Sequence, residues 1–219
     1  MTSWLTHLRI AEKVKQKINE IDYPYFMMGS IAPDSGTPDG SSVIYTPSKE
    51  VTHFRNQKDK SFPAAGAETF YDNYLIPEKI MTRSDSTRSF LWGYYFHLVA
   101  DKLWYDEYFN PFRIDFENGN SGKDKDFISF IREEMQSLDF SYLKKNGDSL
   151  IKQLESANVN LNFFNGFDTD YIYKCRNRVV AFYSGEPENL KRDYRYLSAE
   201  TLDEFVIKAS ESCINILIK

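Results

Sequence analysis

His97 and Asp101 lie four residues apart in the segment 93–104, GYYFHLVADKLW, which is otherwise largely apolar. In a helix, residues at this spacing lie on one face, so both side chains would point toward the surface that the segment buries. Burial of a carboxylate is costly unless the group is paired, hydrogen-bonded or bound to a metal ion. Asp101 therefore requires a partner elsewhere in the chain.

The chain has three histidines, and each lies among apolar or aromatic neighbours. Asp34, in the segment MGSIAPDSG, follows another apolar stretch. Imidazole nitrogens combined with carboxylate oxygens suit Zn²⁺, Mn²⁺ or Fe²⁺, and a cation would neutralise Asp101. We therefore predict a metal site built from five side chains: His7, Asp34, His53, His97 and Asp101. The alternative is a hydrogen-bonded His97–Asp101 pair on one helix, with Asp34 as a turn residue.

Four segments carry these residues in order: THLRIAEKV, FMMGSIAPDS, EVTHF and LWGYYFHLVADKLW. Over about residues 5–105 the set resembles the zinc-dependent phospholipase C family and is similar to the related single-strand-specific zinc nucleases. The resemblance implies an all-α fold. It also implies that one Zn²⁺ is surrounded by four side chains: Asp34, His53, His97 and Asp101. In the same way it implies that Asp101 bridges to a second ion, which His7 binds.

The family's third ion needs two further histidines and a glutamate, whereas no histidine follows His97 in this chain. Asp106 and Glu107 fall near the expected position, either as carboxylate substitutes or as solvated charges at a helix end. We therefore expect one Zn²⁺ and a second beside it, with Mn²⁺ or Fe²⁺ as other candidate metals. A third ion is not expected.

A His/Asp-bound dication lowers the pKa of bound water toward about 7 and supplies hydroxide. The expected function is metal-dependent phosphoester hydrolysis, on a phospholipase C-like or small phosphodiester or phosphomonoester substrate. The predicted catalytic residues are Asp101, which bridges ions or orients water, and Asp34, which holds the ion or, where it binds only weakly, acts as a general base. Substrate contacts are predicted at Arg55, Tyr94 and Trp104. A solvated charge and ordinary core packing are the respective alternatives for Arg55 and for the two aromatic residues.

Two other classes of protein fit the same residues. A non-catalytic helical binding module would retain a structural or vestigial metal site with a closed coordination shell and no turnover. A partner-binding helical protein would instead use its histidines and aspartates as hydrogen-bonded core pairs, without a metal ion.

The composition limits the kinds of binding partner and the cellular compartment that we expect for this protein. A formal net charge of −5 disfavours general nucleic-acid binding, so a small-molecule or lipid-headgroup phosphoester is the expected partner. The charged first twenty residues lack the apolar region of a secretory signal, and no stretch is long enough for a transmembrane segment. Cys175 and Cys213 are isolated, which favours reduced thiols and a cytoplasmic location. The oligomeric state is left open.

Helical periodicity dominates the chain, and Asp85 or Ser86 would cap its longest helix, with Ser198 capping the last. Helices are predicted, in order, over about 4–21, 64–81 (divided at Pro77), 87–108, 126–138, 147–157, 169–184 and 199–217. Loops are predicted over 33–49 and 110–125, where Gly and Pro are frequent. We therefore expect residues 1–219 to form a single all-α, metal-binding, hydrolase-like domain.

Overall fold

The computed structural model describes residues 2–38, 45–55, 66–119, 124–185, 187, 190 and 193–218. The predicted all-α class is confirmed. The helices are α1 (Trp4–Lys17), α2 (Tyr23–Ile31), α3 (Lys49–Thr52), α4 (Gly66–Tyr74), α5 (Pro77–Ile80), α6 (Asp85–Trp104), α7 (Asn110–Gly119), α8 (Asp124–Asn146), α9 (Ser149–Ser156), α10 (Asp170–Ser184) and α11 (Ala199–Leu217). A 3-10 turn, Ala32–Asp34, follows α2, and the strands β1 (Thr37–Pro38) and β2 (Tyr45–Thr46) pair antiparallel.

Helices α2 and α6 pack closely against each other, and two glycines permit the approach. A Cβ atom on Gly29 would lie 2.1 Å from the carbonyl oxygen of Phe90. A Cβ atom on Gly93 would lie 2.2 Å from the carbonyl oxygen of Phe26. Both contacts are with backbone, so only glycine fits at either position. This pair places the end of α2 beside the histidine-bearing part of α6.

Helix α6 contributes to two hydrophobic clusters that lie on either side of it. Phe90 and Tyr94 belong to the first, together with residues of α2, α4, α9 and α10. Phe96 and Trp104 belong to the second, together with residues of α1, α8 and α11. An element buried on both sides is apolar around most of its circumference, which is why the polar pair on α6 stands out in the sequence.

Helices α1 and α2 differ from their predicted extents. Helix α1 ends at Lys17 rather than near residue 21, and Lys15 Nζ donates to the carbonyl oxygens of Asn19 (2.9 Å) and Ile21 (3.1 Å) beyond its end. Helix α2 had no prediction, because its residues are apolar on nearly every face and show no helical period. Pro24 lies in its first turn, a position that favours proline.

The predicted loop over 110–125 is wrong for residues 110–119, which form α7, and for residues 124 and 125, which begin α8. Helix α8 also continues to Asn146, beyond the predicted end at residue 138. Pro111, which has no N–H to donate, lies just after the π-helical segment, where the helical hydrogen-bond pattern changes. Residues 105–109 continue α6 as a π-helical segment. The cap of α6 is Ser84, whose hydroxyl accepts from Thr87 N, rather than Asp85 or Ser86.

The other predictions about elements hold in outline. Pro77 begins α5 and so divides the helix predicted over 64–81, of which residues 64 and 65 lie outside the described part. Ser198 caps α11 through a hydrogen bond from Thr201 N (3.1 Å). Residues 39–44 of the predicted 33–49 loop lie outside the described part. Cys175 and Cys213 are free, buried thiols, as predicted. Within the described ranges, no helix is both long and apolar enough to cross a bilayer.

Gly93→Ala and Gly29→Ala are each expected to lower the free energy of unfolding by about 1–3 kcal/mol, the usual cost of overpacking. The added methyl group would meet backbone atoms, which cannot rotate away as a side chain can. Urea denaturation measures the change. Gly185→Ala is the matched control, because its Cβ atom would meet nothing nearer than 3.5 Å. Equal losses in the control and the two variants would contradict the role of the close α2–α6 contact.

Candidate metal centre

The five side chains predicted to bind metal come from four separate elements and lie together. His7 is in α1, Asp34 ends the 3-10 turn, and His53 follows α3 directly. His97 and Asp101 lie on successive turns of α6. Two overlapping groups have ligand atoms close enough for one cation: His7 with His97 and Asp101, and Asp34 with His53 and His97.

The group around His53 has the spacing of a small coordination site. Asp101 Oδ2 lies 3.6 Å from both His53 Nε2 and His97 Nε2, and Asp34 Oδ1 lies 3.8 Å from His53 Nε2. Bonds to zinc of roughly 2.0–2.2 Å in tetrahedral geometry separate neighbouring ligands by about 3.3–3.6 Å. These three distances therefore lie within a few tenths of an ångström of the ligand spacing around one cation.

Two nitrogens of this group are buried with no hydrogen-bond partner in the described part of the chain: His53 Nε2 and His97 Nε2. The other nitrogen of each ring is occupied. His97 Nδ1 donates to Ser30 O (2.8 Å), and His53 Nδ1 hydrogen-bonds with Thr52 Oγ1 (3.1 Å). The bond to a carbonyl places the proton of His97 on Nδ1 and leaves the Nε2 lone pair aimed at the carboxylates, the usual arrangement behind a metal-binding histidine.

The group around His7 differs, because its nitrogen already has a partner. His7 Nε2 hydrogen-bonds with Thr2 Oγ1 (2.6 Å) and lies 3.5 Å from Asp101 Oδ1. Thr2 also donates its backbone N–H to Asp101 Oδ1 (3.0 Å). The His7 and His97 rings stack with centroids 3.7 Å apart. A second cation here would displace or recruit the Thr2 hydroxyl, so this group fits a metal ion less well.

The charges of the cluster follow from its burial. Burial alone would raise the pKa of Asp101, but the positive charge and the three imidazoles around it hold this pKa well below its usual range. The pKa of Asp34 is also lowered, against the effect of burial, by the positive charges of Lys49, His97 and His53.

Burial lowers the pKa of His7 to about 4, helped by the charge of His97. Burial also lowers the pKa of His53 to about 4, and the positive charge of Lys49 lowers it further. Both rings are therefore uncharged at neutral pH, the form that binds metal. Burial would lower the pKa of His97, but the nearby carboxylates of Asp101 and Asp34 and the hydrogen bond to Ser30 O outweigh it, so this pKa is raised. Metal binding at His97 would therefore compete with a proton.

A cavity of about 540 Å³ opens beside the cluster and is bordered by Thr2 and Asp34. This volume lies in the range of small-molecule sites. Apolar side chains make much of the wall, including Trp4, Phe109, Met135 and Phe182, while Lys49 and Arg132 add positive charge. Asp34 is the member of the cluster that this space reaches, since its side chain is 14% exposed and that of Asp101 only 2%.

The three predicted substrate contacts do not line this cavity. Tyr94 is fully buried, stacks on Phe70 with ring centroids 4.5 Å apart, and donates its hydroxyl to Thr52 O. Trp104 is fully buried beneath α11. This burial is what core packing, the alternative given for both rings, would produce. Arg55 is half-buried near Glu50, and burial lowers its pKa.

The predicted carboxylate substitutes are surface residues. Asp106 pairs with Lys102 Nζ at 2.5 Å, and Glu107 pairs with Lys208 Nζ at 2.5 Å. Both side chains are substantially exposed. The alternative stated for them, solvated charges at the end of a helix, is the one that holds.

Thr2 and Lys49 are site residues that the sequence alone did not assign. Thr2 contacts both His7 and Asp101, and Lys49 Nζ lies 3.6 Å from Asp34 Oδ1. The feature of the sequence that could have indicated them is their closeness to the histidines, because Thr2 lies five residues before His7 and Lys49 lies four residues before His53. Hydroxyl and ammonium groups are common at such positions for many reasons, so the signal was weak.

Asp139 anchors the start of α1 beside the cluster and carries an unusual charge state. This buried carboxylate accepts from Ser3 Oγ (2.9 Å) and Tyr183 OH (2.7 Å), and Ser3 in turn caps α1. Burial raises the pKa of Asp139 from 3.8 to about 7, although both hydrogen bonds act in the opposite direction.

Asp139→Asn is expected to alter how stability depends on pH. Between pH 4 and 7 the folded wild-type protein retains the Asp139 proton that the unfolded chain has lost, so its free energy of unfolding falls as pH rises. At about 1.4 kcal/mol per pH unit, wild-type protein should lose roughly 2–4 kcal/mol relative to Asp139→Asn over this interval. Urea denaturation at each pH measures the difference. Parallel pH profiles for the two proteins would contradict the raised pKa.

No model of a known protein family, no curated protein and no solved structure matches this chain.

Proposed function

We propose that this protein is a metal-dependent phosphoester hydrolase that resembles the zinc-dependent phospholipase C family and uses Zn²⁺. The observation that carries the proposal is the pair of buried imidazole nitrogens, His53 Nε2 and His97 Nε2, that have no hydrogen-bond partner in the described part and face two carboxylates. Unpaired polar atoms in a protein interior are costly, and a cation is the partner that this donor set suits.

The proposed role of each side chain follows from whether it is buried or faces the cavity. His53, His97 and Asp101 would hold the cation from the buried side. When bound, a divalent cation supplies Lewis-acid chemistry, activating water and offsetting charge on a phosphoryl group. Asp34, which faces the cavity, would bind the cation through one carboxylate oxygen and accept the proton of the attacking water through the other. Lys49, beside Asp34, neutralises a phosphoryl oxygen.

The cavity supports a small-molecule or lipid-headgroup phosphoester as the substrate. Its cationic side chains suit an anionic group next to Asp34, and its apolar wall suits the remainder of the molecule. A cytoplasmic location is part of this proposal.

A second candidate function, a helical binding module with a structural metal, is favoured by one observation. Three of the four ligands around His53 are no more than 2% exposed, and four protein ligands would close a tetrahedral shell. The two functions differ in turnover, because a closed shell leaves no position for water.

Hydrolysis of bis-p-nitrophenyl phosphate by untagged protein tests the proposal, after chelator treatment and reloading with Zn²⁺, Mn²⁺ or Fe²⁺. We expect metal-dependent turnover that His53→Ala abolishes and that Asp148→Asn, an exposed aspartate at the start of α9, leaves unchanged. Stoichiometric metal without turnover on this diester or on p-nitrophenyl phosphate would support the structural site instead. Protein without metal or turnover would contradict both functions.

A further inference from the structure

One side chain from the C-terminal half of the chain contacts the whole loop that follows Asp34. Arg178, in α10, donates from Nη1 to Gly36 O (3.0 Å) and to Thr37 Oγ1 (3.1 Å). Its Nη2 donates to Asp34 O and to Ser35 O, both at 3.3 Å. A single guanidinium thus spans the four consecutive residues 34–37.

The same face of α10 contacts the preceding 3-10 turn. Cys175 lies one turn before Arg178, and its Sγ is 3.5 Å from Asp34 O and 3.7 Å from Ile31 O. The backbone of Asp34 therefore rests on α10 through two side chains, while its carboxylate points to His53 and Lys49.

Arginine is suited to this role in a way that lysine is not. Its planar guanidinium presents several donors in a rigid fork, whereas a lysine ammonium is a compact charge on a flexible stem. The loop needs such support, because Asp34 lies in a single 3-10 turn and β1 has only two residues. Ligands on loops are placed less accurately than ligands on helices unless their surroundings hold them.

We propose that Arg178 is a positioning residue for the metal centre, holding residues 34–37 so that the Asp34 carboxylate meets His53 and His97. The inference rests on the proposed function, since it concerns the same cation. It gives the C-terminal helices, which carry none of the five candidate ligands, a part in building the site.

Arg178→Lys and Arg178→Met test this role, with Arg176→Ala as the matched control. Arg176 is on the same helix but donates to Ala157 O and Asn177 Oδ1, away from the loop. In metal-free protein, we expect amide hydrogen exchange across residues 32–38 to rise about tenfold in both Arg178 variants and not in the control, because charged hydrogen bonds are lost. Zinc affinity, measured by competition with a chromophoric chelator, should fall on the order of tenfold.

The absorption spectrum of the Co²⁺-loaded protein separates positioning from general stability. Loss of the Asp34 ligand changes the cobalt coordination, so the Arg178→Met spectrum should shift toward that of Asp34→Ala. In an Asp34→Ala background, Arg178→Met should cost no further zinc affinity. Wild-type protein that binds zinc, with Arg178 variants that match it in exchange, affinity and spectrum, would overturn the positioning role alone. Wild-type protein that binds no metal would overturn the proposed function and this role with it.

Discussion

His97→Ala is expected to lower the affinity for Zn²⁺ by more than about 100-fold, since even a residue that only supports a ligand contributes 10–100-fold. His97 has the largest expected effect because it belongs to both groups of candidate ligands. Its Nδ1 is committed to Ser30 O, so the ring is held with Nε2 toward Asp101. Isothermal titration of metal-free protein with Zn²⁺ measures the change.

Val99→Ala is the matched control for this variant, because Val99 lies two residues along α6 and packs against both hydrophobic clusters. It should lower stability modestly and leave zinc affinity unchanged. If His97→Ala lost no more affinity than Val99→Ala, His97 would be a core residue and the metal centre would be wrong.

Asp101→Asn is expected to remove the stabilisation that Zn²⁺ gives to the folded protein. Asp101 Oδ1 lies 3.5 Å from His7 Nε2, and Oδ2 lies 3.6 Å from both His53 Nε2 and His97 Nε2, so one carboxylate faces all three histidines. A ligand at 1,000 times its dissociation constant raises the free energy of unfolding by about 4 kcal/mol, and that increment should appear in wild-type protein and vanish in Asp101→Asn. Urea denaturation with and without Zn²⁺ measures it.

The same experiment separates the metal centre from a metal-free cluster of hydrogen bonds. If His–Asp pairing alone accounts for the cluster, Zn²⁺ should not change the stability of the wild-type protein. Asp101→Asn should then cost about 3–5 kcal/mol without metal, the usual effect of breaking a buried ion pair. Asp106→Asn, at an exposed position five residues further on, should change neither measurement.

The candidate ligands could be identified from the sequence because residue type and neighbouring residues are enough to single them out. A histidine or aspartate among apolar neighbours is unusual wherever the chain takes it, and the i, i+4 spacing of His97 and Asp101 required no knowledge of the tertiary fold. The long amphipathic helices were predictable for the same reason, because the helical spacing of their apolar residues is visible within each segment of the sequence.

The remaining features depend on contacts between distant residues. Helix α2 is apolar on nearly every face, and only its packing against α6 at Gly29 and Gly93 explains why such a segment is stable. Tyr94 was predicted to contact substrate because the sequence does not distinguish an aromatic side chain in a core from one that lines a pocket. Arg178 could not be assigned to the site, because nothing near it in sequence indicates that α10 rests on the Asp34 loop.

A crystal of the untagged protein soaked with Zn²⁺, with data collected on either side of the zinc absorption edge, tests the metal centre most directly. We expect an anomalous peak among Asp34, His53, His97 and Asp101, roughly 2.0–2.2 Å from the two Nε2 atoms. An empty cluster at saturating zinc, with His53 and His97 turned to other partners, would contradict the metal centre and the function proposed from it.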